Sequence, residues 1–286
     1  MQPTIAVGKT MAQTTKSSWA RIMAPLSGGK GDGAVLTAAA ELARPFGAEL
    51  SGVYAPADVA DLMPWMGEGF MGGVQISAVE SLKEAASQGE KNARAALAAC
   101  AGEQKTFLTL ESPVWASLAV ESRLSDVVVF DDEAARGRGP LAEAFQQLVA
   151  NEQRPTVVAR PGLNAEGVVA VAWDGGKEAT RAARTALPLL EKASRVVILG
   201  APKASTREFD PHRLKEFLAA RGVEADVQLL KESGDAASLL LGASRAAGAT
   251  LLVSGAYGHP RLQEFIFGGT TRSLLAADSP SLFLSH

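Results

Sequence analysis

One stretch of this chain has the residue types and spacing to hold an anion. Ser254 is followed by Gly255, Ala256, Tyr257 and Gly258, then nine residues from His259 to Phe267, then Gly268, Gly269, Thr270 and Thr271. Glycines adopt backbone angles that other residues avoid, and their missing side chain lets a phosphate come close to amide groups. Gly268 and Gly269 are placed to open a helix, whose unpaired amides and positive dipole end attract negative charge. The hydroxyls of Thr270 and Thr271 add donors. The chemistry is that of a phosphate cradle, although glycine loops that open helices are common in α/β proteins and one glycine pair carries little weight alone.

The elements that must position this loop are legible in the apolar pattern. From Arg21 onward, short apolar runs alternate with alanine-rich stretches of helical period, the pattern of parallel strands covered by helices on both faces. Strands are expected near Arg21 to Leu26, Glu49 to Tyr54, Thr106 to Leu110, Asp126 to Phe130 and Thr156 to Ala159. A second set follows near Val168 to Trp173, Arg195 to Leu199, Ala225 to Leu230, Thr250 to Ser254 and Ser281 to Leu284. Helices of the second set begin near Lys177, Pro211, Asp235 and Gly269. Asp210 before Pro211 is a helix start, and Gly222 ends that helix.

The two sets begin alike. Ala24, Pro25, Leu26, Ser27, Gly28 and Gly29 match Val171, Ala172, Trp173, Asp174, Gly175 and Gly176, and Arg154 and Pro155 match Ser279 and Pro280. The fold class is therefore α/β: two flavodoxin-like domains, each a five-stranded parallel sheet with its first and fourth strands adjacent. Ligands of such sheets bind in the crevice outside the carboxyl ends of those two strands. Residues 1–18 read as a disordered leader, 19–162 as the first domain and 167–286 as the second, with turn residues from Pro161 to Gly167 between them. An insertion from Pro56 to about Ser77, rich in methionine and glycine, reads as a loop over the sheet edge.

At 286 residues the chain suits two domains, each able to bury its own core. A net charge of -3 and the lack of a basic stripe interleaved with aromatics argue against nucleic acid as a partner. The sequence implies no membrane span. Cys100, the single cysteine, reads as a core thiol, and no cysteine and histidine spacing suits zinc. With no apolar run of signal-peptide length near the amino terminus, a cytoplasmic, reducing setting is expected.

Two glycines separated by two residues, then nine residues, then a glycine, is a pattern that resembles the nucleotide-binding loop of the universal stress protein family, and the likeness extends over both halves. The resemblance implies an adenine nucleotide hydrolase-like fold and a site for ATP, with magnesium as its companion ion. By that resemblance Asp174 contacts the nucleoside, Ala172 and Trp173 lie beside it, and Ala201 approximates a small apolar position that packs against adenine. Ser254, Gly255, Gly258, Gly268, Gly269, Thr270 and Thr271 belong to the loop. The family pattern places serine or threonine where this chain has Gly269, which removes one hydroxyl contact, whereas Thr271 matches a phosphate-contacting position.

The first half departs further. Ser27 replaces the aspartate, and Asp131, Asp132 and Glu133 stand where the loop would begin. Like charges a few ångströms apart repel by about 1 kcal/mol even in bulk water, so that half is not expected to hold ATP. Arg136 to Gly139 read as a solvated turn. Single-domain members pair as dimers, so the halves are expected to pack as an internal pseudo-dimer, with further self-association as a homodimer left open. His259 and Arg261 border the loop, but no activated nucleophile or carboxylate pair for magnesium accompanies it. An efficient enzyme is not expected, and any ATP hydrolysis would be slow. The role implied is a stress-response protein whose nucleotide state biases an interaction with an unidentified protein partner; the alternative is a nucleotide-free scaffold of the same fold.

Overall fold

Short runs rich in valine, isoleucine and leucine form ten strands that join into a single sheet in the computed structural model, which describes residues 18–56, 72–111, 113–200, 210–230, 235–256 and 269–286. The first half contributes β1 (Arg21–Leu26), α1 (Asp32–Ala43) with a 3-10 turn over Arg44–Phe46, β2 (Glu49–Tyr54), α2 (Gly72–Ala99) and β3 (Lys105–Thr109). It continues with α3 (Val114–Ser122), β4 (Val127–Phe130), α4 (Asp132–Ala135), α5 (Ala142–Ala150) and β5 (Thr156–Val158). The second half contributes β6 (Val168–Trp173), α6 (Lys177–Thr185), α7 (Leu187–Leu190), β7 (Arg195–Gly200) and α8 (Pro211–Ala219). Then come β8 (Ala225–Leu229), α9 (Ala236–Ala246), β9 (Leu251–Gly255), α10 (Gly269–Ala276) and β10 (Ser281–Ser285).

Central strands buried on both faces need no polar alternation, and β4 is apolar and buried throughout. Helix starts follow their caps: Asp210 accepts from the His212 amide and Asp235 from the Ser238 amide, each at 2.9 Å. Gly222, at φ 77°, ends α8 in the left-handed conformation that glycine adopts without a Cβ penalty. The turns after β1 and β6 are conformational twins, with Gly28 and Gly175 both at φ 76°.

The strand order is β3-β2-β1-β4-β5-β10-β9-β6-β7-β8. Within each half all neighbours are parallel, and the first strand lies between the second and the fourth, so chain connections diverge to either side of the β1/β4 and β6/β9 pairs. The halves join by one antiparallel pairing, with Thr156, Val157 and Val158 opposite Leu284, Phe283 and Leu282.

Both apolar layers run across that joint. One combines Ile22, Leu36 and Leu50 with Val169, Ile198 and Phe283, and the other combines Phe130, Phe145 and Leu148 with Leu252, Leu274 and Leu282. Trp19 of the first half stacks on Phe283 of the second at 6.2 Å between ring centroids. Separate cores were expected for the two halves, but a continuous sheet gives each helical layer a continuous floor to cover.

The leader expected over residues 1–18 lies almost wholly outside the described residues, as does most of the insertion. Where the insertion is described, from Gly72, it is not loop but the start of α2. Cys100 is half-buried rather than fully buried; its Sγ donates to the Leu36 carbonyl at 3.2 Å, and burial pushes its pKa up, which suppresses the thiolate. No helix among the described residues is long and apolar enough to cross a membrane.

A core shared across the joint predicts cooperative unfolding. Phe283→Ala should cost about 3–5 kcal/mol, and urea unfolding should follow one transition for both halves. Two separated transitions in the variant would show that the halves hold their cores independently.

Candidate functional site

The carboxyl ends of β6 and β9 open onto a cavity of about 360 Å³. Eight residues singled out in the sequence line it: Ala172, Trp173, Asp174, Ser254, Gly255, Gly269, Thr270 and Thr271. Ala201, Gly258 and Gly268 lie outside the described residues, as do His259 and Arg261.

Its wall has two characters. On the side of β7, β8 and α9, Leu199, Leu230, Ala236 and Leu240 form an apolar slot that the sequence reading did not assemble. On the side of β9 and α10, Ser254, Thr270 and Thr271 supply hydroxyls, and α10 begins at Gly269. Asp174 stands between them on the turn after β6, exposed, with Oδ1 accepting from the Gly176 amide at 2.8 Å. Trp173 is nine-tenths buried, and its indole Nε1 finds no acceptor among the described residues. Glu178, not anticipated, places a second carboxylate on the wall, with the Lys177 ammonium 3.4 Å away. An apolar slot with hydroxyls and a helix amino terminus at one end suits a ligand that has a flat, partly apolar body and an anionic tail.

The glycines divide by cause. Gly255 ends β9 without a positive φ, and a Cβ there would lie 2.7 Å from the Ala179 amide nitrogen and 2.8 Å from the Glu178 Cβ. Its missing side chain therefore admits the first turn of α6. The special backbone angle expected at Gly255 is not adopted. A Cβ on Gly269, by contrast, would meet nothing within 4 Å.

In the first half the amides of the equivalent turn are satisfied within the chain. The buried Asp32 carboxylate accepts from the Ser27 and Gly28 amides at 3.0 and 2.8 Å, so it occupies the turn after β1. Helix α2 packs against that turn from the layer that α8 occupies in the second half: a Cβ on Gly28 would overlap the Gly89 backbone, Asn92 Nδ2 donates to the Gly28 carbonyl at 3.3 Å, and Tyr54 Oη donates to the Ala86 carbonyl at 2.9 Å.

The three acidic residues after β4 each have a partner. Asp131 caps α4 by accepting from the Ala134 amide at 2.8 Å, Asp132 pairs with Arg160 and Arg136, and Glu133 pairs with Arg138. Arg136, read as part of a solvated turn, reaches the second half, where it donates to the Ala277 carbonyl at 3.1 Å and to Asp278 at 2.7 Å. Burial pushes the pKa of Asp131 up, and the neighbouring carboxylates add to the shift, whereas Arg138 holds Glu133 below the usual range.

Two predictions follow from these contacts. Gly255→Ala should destabilise by about 1–3 kcal/mol through overpacking, while Gly269→Ala should stay within about 0.5 kcal/mol; thermal unfolding compares them, and equal losses would sink the distinction. A carboxyl whose folded pKa is raised favours folding at low pH and loses that advantage as pH rises through the folded value. Asp131→Asn, which can still cap, should therefore gain stability relative to the parent between pH 4 and pH 7, roughly the span above the unfolded aspartate pKa. Urea midpoints at the two pH values test it, and a constant difference would count against the burial effect.

No protein-family model matches the chain, and neither does any curated protein. Solved structures do. A universal stress protein from Archaeoglobus fulgidus DSM 4304 superposes with a TM-score of 0.64 at 17% identity, covering 93% of this chain and 95% of its own. A protein of Pseudomonas aeruginosa UCBPP-PA14 described as a universal stress protein gives 0.53 at 14% identity, with 93% of each chain covered. A functionally unknown protein of Pseudomonas aeruginosa PAO1 gives 0.53 at 12% identity, with 93% and 92% covered. With both halves spanned by such superpositions, and the sheet of each half wound outward from its first and fourth strands, the chain has the fold of a tandem universal stress protein.

Proposed function

We propose that this chain is a universal stress protein that binds an adenine nucleotide, ATP with magnesium, in the cavity of its second half, and that the bound state biases contact with another protein. The observation that carries the reading is the convergence of Asp174, Ser254, Thr270, Thr271 and the start of α10 on one cavity that also has an apolar slot. The adenine lies in the slot beside Leu199 and Leu240, the ribose hydroxyls donate to the Asp174 carboxylate, and the phosphates face the threonine hydroxyls and the α10 amides. Magnesium would neutralise the phosphates, whose charge the carboxylates of Asp174 and Glu178 otherwise oppose. A ligand that changes side chains at the strand ends can shift the surface only by as much as it prefers one arrangement over another.

A nucleotide-free scaffold is the second reading. Two observations favour it: the glycine at 255 is accounted for by α6, and Glu178 adds negative charge to the wall.

Equilibrium dialysis with labelled ATP and magnesium should show saturable uptake by the full chain. Asp174→Ala should weaken it about tenfold or more, the worth of a hydrogen bond to a charged group, and Gly269→Ser, which has room for its hydroxyl, should tighten it. ATP at a hundredfold excess over its dissociation constant should add about 2.7 kcal/mol of stability. No uptake and no thermal shift would leave the scaffold reading standing.

A further inference from the structure

Among the described residues of the first half, the guanidinium of Arg160 is the one cation buried at the joint: its side chain is 1% exposed. Nε donates to Asp132 Oδ1 at 2.9 Å, inside the first half. The remaining donors cross the joint, Nη1 to the Pro280 carbonyl at 2.7 Å and Nη2 to the Leu274 and Leu275 carbonyls at 3.0 Å each. The Arg160 amide also donates to Ser281 Oγ at 3.0 Å. Leu274 and Leu275 lie in the last turn of α10, where helix carbonyls lack intrahelical partners and the dipole favours a cation. Arg136 extends the contact to the Ala277 carbonyl and Asp278, and Asp132 holds both arginines. The opposite end of this short helix is Gly269, Thr270 and Thr271 on the cavity wall.

The geometry points to Arg160 as a positioning residue: oriented by Asp132, it grips the carboxyl end of α10 and thereby sets the place of Thr270 and Thr271 in the cavity of the other half. The first half contributes to the site by this grip rather than by binding a ligand of its own. Asp132 stands at the position where a binding loop would begin, so the segment after β4 of one half holds the end of α10 in the other. A helix of two turns, about 12 Å long, is stiff enough to carry a displacement from end to end. The effect on ligand rests on the nucleotide reading; the grip on α10 does not.

The test uses the full chain with Arg160→Met, which removes the charge and the donors, and Arg160→Lys, which keeps the charge but loses the fork. Hydrogen exchange of α10 amides should quicken about tenfold or more in Arg160→Met and less in Arg160→Lys, with β2 and β7 amides unchanged. ATP affinity should fall about tenfold in Arg160→Met. In a Thr271→Val background the same substitution should cost less, because both act through one contact. Unchanged exchange in α10, or acceleration spread evenly over the sheet, overturns the assignment. So does full additivity with Thr271→Val. If the parent takes up no ATP, the functional reading fails while the exchange result still decides the grip. Should Arg160→Met not fold, Arg136→Met, at a more exposed site, is expected to show the same local pattern at smaller size, and its absence counts equally against the proposal.

Discussion

The pairing of β5 with β10 is the contact on which the architecture turns. A parallel five-stranded sheet ends in a strand whose outer amides and carbonyls have no partner, an edge that invites association. Each half has such an edge, and the two meet antiparallel through Thr156 to Val158 and Leu282 to Leu284. The same contact makes both helical layers continuous and brings Trp19 onto Phe283. It also sets Arg160, just beyond β5, beside the chain that enters β10 and the end of α10. The ionic lattice at the joint follows from strand pairing, not the reverse.

Within that frame the two crevices share a backbone plan and differ in the groups that bond their turns. Each lies where connections diverge from the first and fourth strands, and each begins with a glycine at φ 76°. After β1 the amides of that turn bond to Asp32, and α2 lies over it. After β6, Asp174 is exposed and bonds its own turn through Gly176, leaving an apolar slot alongside. The Asp32 carboxylate thus satisfies the amides of its turn from within the chain.

Strand placement was open to reading because buried parallel strands are continuous apolar runs; β1, β2 and β6 begin and end where Arg21, Leu26, Glu49, Tyr54, Val168 and Trp173 suggested. The convergence of Trp173, Asp174, Ser254, Gly255 and Gly269 to Thr271 was readable for the same reason, since strand ends of a doubly wound sheet are neighbours by topology. What the sequence hid are contacts that close over long chain distances. Nothing near Gly255 announces that a Cβ there would lie 2.7 Å from α6. Arg160 precedes Pro161 and Gly162, a turn signal, yet its partners at Leu274, Leu275 and Pro280 bury it. Arg136 looked solvated for the same reason, whereas Arg138 in the same turn is exposed. Charge composition does not reveal whether an ion faces water or a carbonyl.

The antiparallel joint relates its two halves by an approximate twofold axis, and in a true pair of identical chains every substitution would appear on both sides of that axis. An ion cluster such as Asp132 with Arg160 and Arg136 would then be repeated on the other side of the joint. Carrying both halves on one chain lifts that constraint. Symmetry is kept in the backbone, where Gly28 and Gly175 still share one conformation, and broken in the side chains, so that one copy can specialise while the other is left free to change.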